Sequence, residues 1–307
     1  MEAYIMDLQQ NIGEYLDYCK FRKELDFNTL KAYRIDLRQF FEFAGKGMPD
    51  RRIIEAYITE LHKKYRQKTV KRKIASLKAF YTYLEEQELI TESPMRRIRT
   101  KFKEERILPR IIPRREIEKL LNVMYRQLRS GKGKKTILRD LAVVEMFFAT
   151  GARVYEVANI KIENMDLSSG IIRFMGKGGK ERMIQIGSRE VTVLLRQYYT
   201  ENKEVIRRCG YFFVNQNGNR FSEQSIRRML KQYTKRAGIE RNITPHMFRH
   251  SFATYLIEEG VDVSCVQRIL GHSSIKTTQI YIHIAAGTQA DILRNMHPRN
   301  KMHIEAA

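Results

Sequence analysis

The sequence predicts a mainly α-helical protein with a small antiparallel β-sheet. Over residues 1–100, apolar side chains recur at steps of three and four, which is typical of helices with one buried face. In the second half, "GIIRFMGKGGKERMIQIG" changes this period, because two short runs of strand-forming residues flank a glycine-rich turn. We therefore expect about four helices in the first part and a β-hairpin within a second, mixed region.

Apolar stripes account for the helices predicted in the first part of the chain. They lie at residues 30–41, 53–61 and 70–84. A segment rich in basic residues and interrupted by two prolines follows, "RTKFKEERILPRIIPRR". Because proline interrupts regular structure, this segment predicts a linker, which would cross an anionic surface. We place the linker at 101–112, after a helical domain of residues 1–100.

The region after the linker, residues 113–285, mixes helices with the hairpin. The segment "EIEKLLNVMYRQL" predicts a helix, and "LRDLAVVEMFFATG" predicts a buried helix that ends at Gly151. Strands are expected at 171–175 and 183–186, on either side of the glycine-rich turn. Further helices are expected at about Ser222–Ala237, from Pro245 and from about Ser264.

Composition restricts the compartment and the partner. The 307 residues contain no apolar run near the roughly 20 residues of a membrane span, and the N-terminus lacks the features of a signal peptide. Three widely separated cysteines without C-x-x-C spacing favour a reducing interior, so we expect a cytoplasmic protein. A net charge of +22 favours a polyanionic partner. Nucleic acid is the leading candidate, with an acidic membrane surface as the alternative.

A run of basic residues without any acidic residue marks one candidate nucleic-acid surface. A charge run is usually only a solvated helix face. This one lies opposite an apolar stripe, on what we take to be a short helix of a strongly basic protein, so we favour contact with phosphates. Its eight members are Lys63, Lys64, Arg66, Lys68, Lys71, Arg72, Lys73 and Lys78.

The segment "ITPHMFRHSFATYLIEEG" predicts a helix that begins with a candidate anion site. Thr244 suits the N-cap and Pro245 the first helical position, so His246 and Arg249 lie on one face of the first turn, beside free backbone amides. A metal is the competing interpretation, because His246 and His250 are four residues apart. The zinc hydrolase pattern H-E-x-x-H lacks its glutamate here, however, and no further ligand cluster is evident.

Two other segments are ambiguous when taken alone. "GKGGKER" around Lys177 departs from the P-loop pattern, because Ile171 stands at the first glycine position and Gly178 follows the lysine, so ATP binding is unsupported. A lysine at a turn is usually exposed and inert, although flanking glycines let a ligand approach closely. In "FATGARVYEVANI", Arg153 and Glu156 form a pair at a helix start, which is more often structural than functional.

Taken together, these segments resemble the active-site motifs of the tyrosine recombinases, the family of phage integrases and Xer-type site-specific recombinases. The resemblance rests on "ATGARVYEV", "GKGGKER", "TPHMFRHSFAT" and "LGHSSIKTTQIY". It implies that residues 113–285 form an α+β catalytic domain and that residues 1–100 form a helical core-binding domain that contacts DNA. The matching catalytic set is Arg153, Lys177, His246, Arg249, His272 and Tyr281.

The resemblance implies that Tyr281 is the nucleophile. A tyrosine hydroxyl can hold the 3′ phosphate of a cleaved strand covalently, and this phosphotyrosyl bond conserves the energy for rejoining without ATP. Only about 0.1% of a tyrosine with the ordinary pKa near 10 is ionised at neutral pH. A base must therefore help to remove its proton, and His246 is our candidate.

The other members of the set would serve the phosphate and the leaving group. Arg153 and Arg249 can meet the negative charge of the transition state with planar, permanently charged guanidinium groups. The resemblance implies that Lys177 protonates the departing 5′ oxygen and that His272 hydrogen-bonds a phosphate oxygen. Glu156 matches an acidic position of the family motif and would orient its neighbours rather than react. We expect no cofactor and no metal.

The resemblance also implies the partners. They are double-stranded DNA with inverted half-sites and further copies of the chain: a dimer on one site, a tetramer in synapsis, and strand exchange through a Holliday junction. The tail, residues 286–307, would pack on its own domain or, as in relatives, pass to a neighbouring subunit. Two alternatives stay open, a monomeric type IB topoisomerase-like nicking and sealing enzyme and a DNA-binding regulator without catalysis.

Overall fold

The computed structural model describes residues 2–45, 49–98, 110–131, 133–175 and 181–271, without the side chains of residues 2–9 and of Lys134. These residues form eleven α-helices, one short 3-10 helix and a three-stranded antiparallel sheet. The prediction of a mainly α fold with a small antiparallel sheet is therefore confirmed. None of the described helices combines the length and apolar character needed to cross a bilayer.

The chain folds as two compact units, residues 1–106 and residues 107–307. This division falls inside the segment predicted as a linker. Most of that segment, residues 99–109, lies outside the described residues, so the boundaries of the linker stay a prediction.

The described part of the N-terminal unit contains four helices, which agrees with the expected number of about four, and the three apolar stripes fall on the last three of them. Asp26 and Asp50 cap the second and third helices, because their carboxylates accept hydrogen bonds from the backbone N–H groups of Thr29 and Ile53. The stripes meet in one core, in which Leu37, Phe40, Ile54, Val70 and Phe80 are fully buried. The helices are α1 (Glu2–Phe21), α2 (Phe27–Ala44), α3 (Arg51–Lys64) and α4 (Gln67–Glu86).

The second unit surrounds a buried central helix. This helix, α6 (Lys134–Thr150), packs against other helices of the same unit on several sides, and its residues from Leu138 to Phe147 are buried. The 3-10 helix is Ile162–Asn164. The α-helices are α5 (Arg114–Arg129), α6 (Lys134–Thr150), α7 (Val154–Ala158), α8 (Arg189–Cys209), α9 (Glu223–Arg236), α10 (Pro245–Glu258) and α11 (Val263–Leu270).

The two strands of the predicted hairpin pair as expected and gain a third, very short strand, while the glycine-rich turn at 176–180 lies outside the described residues. Strand β2 (Ile171–Met175) pairs with β3 (Glu181–Gln185), so that Phe174 lies opposite Arg182. Strand β1 (Met165–Asp166) pairs with the other edge of β2. Ile172, Phe174 and Ile184 alternate toward the core, as expected for a sheet with one buried face.

Gly151 ends α6, as predicted, and two physical constraints require glycine there. Its φ angle of +60° lies in the left-handed region that side chains with a Cβ disfavour. A Cβ on Gly151 would also lie 2.5 Å from Cδ1 of Phe252 and 2.9 Å from Cδ2 of Leu270. The end of α6 is therefore in close contact with α10 and α11, which brings three segments of the predicted site together.

Candidate active site

Arg249 links two of the predicted motifs through backbone atoms. Its side chain is buried within the first turns of α10. Its Nη1 donates to the carbonyl oxygen of Gly151 at 2.9 Å, and its Nη2 donates to that of Leu270 at 2.6 Å. Arg153 follows the first carbonyl by two residues, and His272 follows the second by two residues. Arg249 therefore lies between the segments that carry these two residues.

Glu156 is the acceptor for the second guanidinium of the site. Arg153 precedes α7, and its Nη1 donates to Oε1 of Glu156 at 2.9 Å while its backbone N–H donates to Oε2 at 2.6 Å. The Glu156 side chain is only 2% exposed, whereas that of Arg153 is 39% exposed. Glu156 therefore anchors Arg153, and the exposed part of the Arg153 side chain can contact a ligand.

Arg182 completes the environment of Glu156. From strand β3 it donates through Nη1 to Oε1 at 2.6 Å and through Nη2 to Oε2 at 2.7 Å, as a two-pronged ion pair. Burial would raise the pKa of Glu156, but the hydrogen bonds and charge of Arg182 and Arg153 outweigh burial and lower this pKa below its ordinary value. Glu156 is therefore ionised at neutral pH and bridges two arginines.

Arg182 also lies close to the end of α11. A Cβ on Gly271 would lie 3.1 Å from Cδ of Arg182, and the φ angle of Gly271 is +63°. Gly271 directly precedes His272 in sequence. Arg153, Arg182 and Arg249 thus belong to one connected cluster, held by Glu156 and by the ends of α6 and α11.

The two histidines of α10 differ in environment. His246 is exposed in the first turn of α10, which begins at Pro245 as predicted, although Thr244 makes no side-chain capping hydrogen bond. His250 is half-buried, and burial together with the charges of His246 and Arg249 lowers its pKa to about 4. His250 is therefore neutral at physiological pH. Among the described residues, no group of three or more His, Cys, Asp or Glu side chains is arranged to hold a metal ion.

Three members of the predicted set, Lys177, His272 and Tyr281, lie outside the described residues. The structure brings together the described members Arg153 and Arg249, with Glu156 beside Arg153 and His246 one turn before Arg249. Sequence reasoning missed Arg182 as a member of the cluster. A signal was present, since Arg182 ends the "GKGGKER" motif; the strand predicted at 183–186 begins at Glu181 in the structure, which puts Arg182 on the same side of β3 as the buried Ile184.

The basic run of the N-terminal unit is not a single helix face, contrary to our expectation. It covers the end of α3, the break at Tyr65–Arg66 and most of α4. Six of its members are exposed and Lys71 is half-buried. In α3, Lys63 and Lys64 lie within 3.7 and 2.9 Å of Glu60.

Lys73 is wrongly predicted to contact phosphate, because its side chain is only 3% exposed. It follows Val70 by three residues and therefore lies on the apolar face of α4. Its Nζ donates to the buried carboxylate of Asp36 at 2.9 Å and to the side chain of Gln39. Arg72, which is exposed, donates to the same carboxylate. Lys73 is thus a structural ion-pair partner inside the helical unit.

Sequence comparison identifies two matching regions. The model of the Phage integrase family matches residues 110–287, and the model of the Phage integrase N-terminal SAM-like domain matches residues 12–88. A tyrosine recombinase of Agathobacter rectalis is 45% identical over 303 residues, covering 97% of this chain and 99% of the relative. Tyrosine recombinase XerD of Listeria monocytogenes is 37% identical, covering 94% of this chain and 98% of the relative.

Solved structures share the fold. The XerH site-specific recombinase bound to palindromic difH substrate has a TM-score of 0.74 at 22% identity, covering 96% of this chain and 89% of that one. The XerA recombinase has a TM-score of 0.53 at 28% identity, covering 95% and 99%. A lambda integrase tetramer bound to a Holliday junction has a TM-score of 0.67 at 16% identity, covering 89% and 76%.

Proposed function

The chain belongs to the phage integrase family and is a tyrosine recombinase, and from this premise we propose how its residues cut and rejoin DNA. The hydroxyl oxygen of Tyr281 attacks the scissile phosphorus and forms an O–P bond, while the bond from phosphorus to the 5′ oxygen breaks. The proton of the tyrosine passes to a base, and the departing 5′ oxygen takes a proton from an acid. Reversal by another 5′ hydroxyl rejoins the strand, so no cofactor is consumed.

The anchoring of Arg249 is the observation that carries this proposal. Its two hydrogen bonds to the carbonyls of Gly151 and Leu270 connect segments that are about 120 residues apart in sequence. Because Arg153 and His272 each follow one of these carbonyls by two residues, a single phosphate near Arg249 would be within reach of both segments. Convergence of cationic groups on one point is what phosphoryl transfer requires of a site.

The chemistry of each residue follows from its environment. Arg153, partly exposed and anchored by Glu156, and Arg249, anchored by backbone carbonyls, bind the non-bridging oxygens, where a preorganised donor is worth about 3–4 kcal/mol in the transition state. His246, exposed at the start of α10, accepts the proton of Tyr281. Lys177 donates the proton to the 5′ oxygen, and His272 hydrogen-bonds a phosphate oxygen.

The partner is double-stranded DNA with inverted half-sites. A dimer binds one site, and two such dimers form a tetramer that exchanges strands through a Holliday junction. The charge of +22 and the exposed basic side chains at the α3–α4 break support this partner, because they would neutralise backbone phosphates. Cys19, Cys209 and Cys265 are free thiols, which fits action in the reducing cytoplasm.

The C-terminal tail, residues 286–307, docks on a neighbouring copy. A groove of about 560 Å³ lies among α5, α6 and α10, with Leu121, Phe148 and Leu256 in its lining. Three glutamates, Glu118, Glu145 and Glu259, line it against one arginine, Arg114. The tail supplies the complementary chemistry, with Ile292, Leu293 and Met296 as apolar residues and Arg294, Arg299 and Lys301 as basic residues.

The proposed nucleophile is tested by covalent capture. Genomic DNA bound by the Tyr281→Phe protein is first mapped by crosslinking in cells, and a nicked duplex carrying the mapped half-site is then synthesised. Wild type should form a covalent protein–DNA adduct, and Tyr281→Phe should bind with similar affinity but form none. Adduct formation by both proteins, or by neither despite tight binding, rejects the assignment.

The DNA surface and the tail have separate tests. Replacing Lys68, Lys71 and Lys78 with glutamine should reduce the slope of log affinity against log salt by about 0.9 for each phosphate that is no longer neutralised. An unchanged slope would show that these residues are only a solvated face.

Deleting residues 288–307 should abolish synapsis while half-site binding persists. Intact strand exchange by the truncated protein would exclude tail docking.

A further inference from the structure

Arg182 is strongly held in the cluster, yet the proposed function gives it no task. Its side chain is 10% exposed, and both Nη atoms bind Glu156. Its guanidinium carbon lies 4.9 Å from the ring centroid of Phe174, its cross-strand partner. On a further side it fills the space beside Gly271, where a Cβ would lie 3.1 Å from Cδ of Arg182. Contacts with three separate segments fix this side chain in one position.

The orientation of the Glu156 carboxylate depends on Arg182. A carboxylate held by a single guanidinium Nη can rotate about the terminal side-chain torsion, because glutamate adopts a broad range of values for this angle. The parallel pair of bonds from Arg182, at 2.6 and 2.7 Å, fixes the carboxylate plane instead. Oε1 and Oε2 then each point one lone pair at Arg153, at its Nη1 and at its backbone N–H. The position of the Arg153 guanidinium is therefore set by Arg182 acting through Glu156.

The charge of the cluster also depends on Arg182. Arg153 and Glu156 alone would form a neutral pair, and a carboxylate beside the scissile phosphate would repel it. With Arg182 included, two guanidinium groups share one carboxylate, so Arg153, Glu156 and Arg182 together keep one positive charge. Nε of Arg182 is buried and makes no hydrogen bond to a described residue, so the hydrogen bonds that hold this guanidinium among the described residues come from its two Nη atoms and go to Glu156.

We propose that Arg182 is a positioning residue of the strand-cleavage reaction, which holds Glu156 so that Arg153 presents its guanidinium to the scissile phosphate. Arg182 itself touches neither the nucleophile nor the leaving group in this scheme. The inference rests on the proposed function, because it gives Arg182 a task in that reaction.

The test compares two nicked half-site duplexes that differ only at the scissile group, one with the ordinary phosphate and one with a neutral methylphosphonate. On the phosphate, Arg182→Gln should form the covalent adduct about 10- to 100-fold more slowly than wild type, the range expected when a catalytic group is misplaced by about 1 Å. On the methylphosphonate, the gap between variant and wild type should shrink to a few-fold. The reason is that the neutral group lacks the charge that Arg153 must offset.

Two further variants separate positioning from folding. Arg182→Lys keeps the charge but loses the two-pronged geometry, so it should fold and show an intermediate defect with the same dependence on the scissile group. Arg173→Gln is the matched control, since Arg173 lies on the same hairpin with 52% of its side chain exposed and only a 4.0 Å contact to Glu181. It should cleave within about two-fold of wild type, because it lies outside the cluster.

The outcomes distinguish the two proposals. Equal rates for wild type and Arg182→Gln on the phosphate overturn the positioning role while the proposed function stands. The positioning role is also overturned if Arg182→Gln and Arg182→Lys each reduce the rate of adduct formation by the same factor on both duplexes. A purely structural loss would not depend on the charge of the scissile group. Failure of wild type itself to form adduct on either duplex overturns the proposed function, and this inference with it.

Discussion

Replacing Glu156 with glutamine tests the central bridge of the site. The carboxylate accepts four hydrogen bonds, two through each oxygen, from Arg153 and Arg182. Glutamine keeps one acceptor oxygen but presents an NH₂ group where the other oxygen stood, so two bonds become contacts between donors. Hydrogen bonds to charged groups contribute about 1.5–3 kcal/mol each, and removing one partner of a buried ion pair costs about 3–5 kcal/mol. We expect Glu156→Gln to lower the free energy of unfolding by about 3–5 kcal/mol at pH 7.

The assay is urea unfolding of the full chain, followed by hydrogen-exchange mass spectrometry of peptides from α6 and α10, which reports the second unit separately. Because the folded-state pKa of Glu156 is lowered, its stabilisation is present above the unfolded pKa near 4.3 and is lost as the pH falls through the folded value. The difference in the free energy of unfolding between wild type and variant should therefore become smaller below about pH 4. Glu163→Gln, at an exposed site, is the control. Two results would refute the stabilising bridge between Arg153 and Arg182. One is a difference in the free energy of unfolding below about 1 kcal/mol at pH 7, and the other is a difference that is as large at pH 3 as at pH 7.

Three further predictions test the packing inside each of the two units. Gly151→Ala should destabilise the second unit by about 2–4 kcal/mol, because it adds left-handed backbone strain and overpacking. Gly210 has a φ of +80° but nothing within 4 Å of an added Cβ, so Gly210→Ala should lose only the part of the free energy of unfolding that backbone strain accounts for. Equal losses for the two variants in urea unfolding would contradict the packing argument. Asp36→Asn should destabilise the N-terminal unit by about 3–5 kcal/mol, and adding Lys73→Met should recover part of the loss, measured by hydrogen exchange in α2 and α4. His250, with a pKa lowered to about 4, should keep constant ring NMR shifts between pH 8 and 5.5, and a titration near pH 6.5 would disprove its burial.

Periodicity was sufficient to predict much of the fold. Helices bury one face at a fixed repeat, so the apolar stripes locate α2, α3 and α4, and a glycine at the end of a buried run locates the end of α6. Strand β1 has only two residues, too few to show any period. Helix α8 is absent from the predicted elements, although Val191, Leu194, Leu195 and Tyr198 are buried at helical spacing. The same periodic rule would therefore have located this helix as well.

Charge patterns were a weaker guide than apolar patterns, because a charged residue is interpreted correctly only when its partner is known. Lys73 has the same sequence neighbourhood as the exposed lysines of its run, and what buries it is Asp36, 37 residues earlier in the chain. Arg182 joins the site through Glu156, which lies 26 residues earlier in the chain, in α7 rather than on the hairpin. Such pairs depend on tertiary contacts, and no local spacing encodes them.

The site uses two different ways to hold a buried or half-buried arginine. Arg249 donates to two backbone carbonyls, which are fixed by the ends of α6 and α11 and are electrically neutral. Arg153 is held by a carboxylate, which would cancel its charge if it had no second partner. Arg182 resolves this conflict, because it shares the same carboxylate and restores one positive charge. Three guanidinium groups against one carboxylate leave the cluster cationic, as a centre that attracts a phosphodiester must be, while every one of these side chains keeps a defined position.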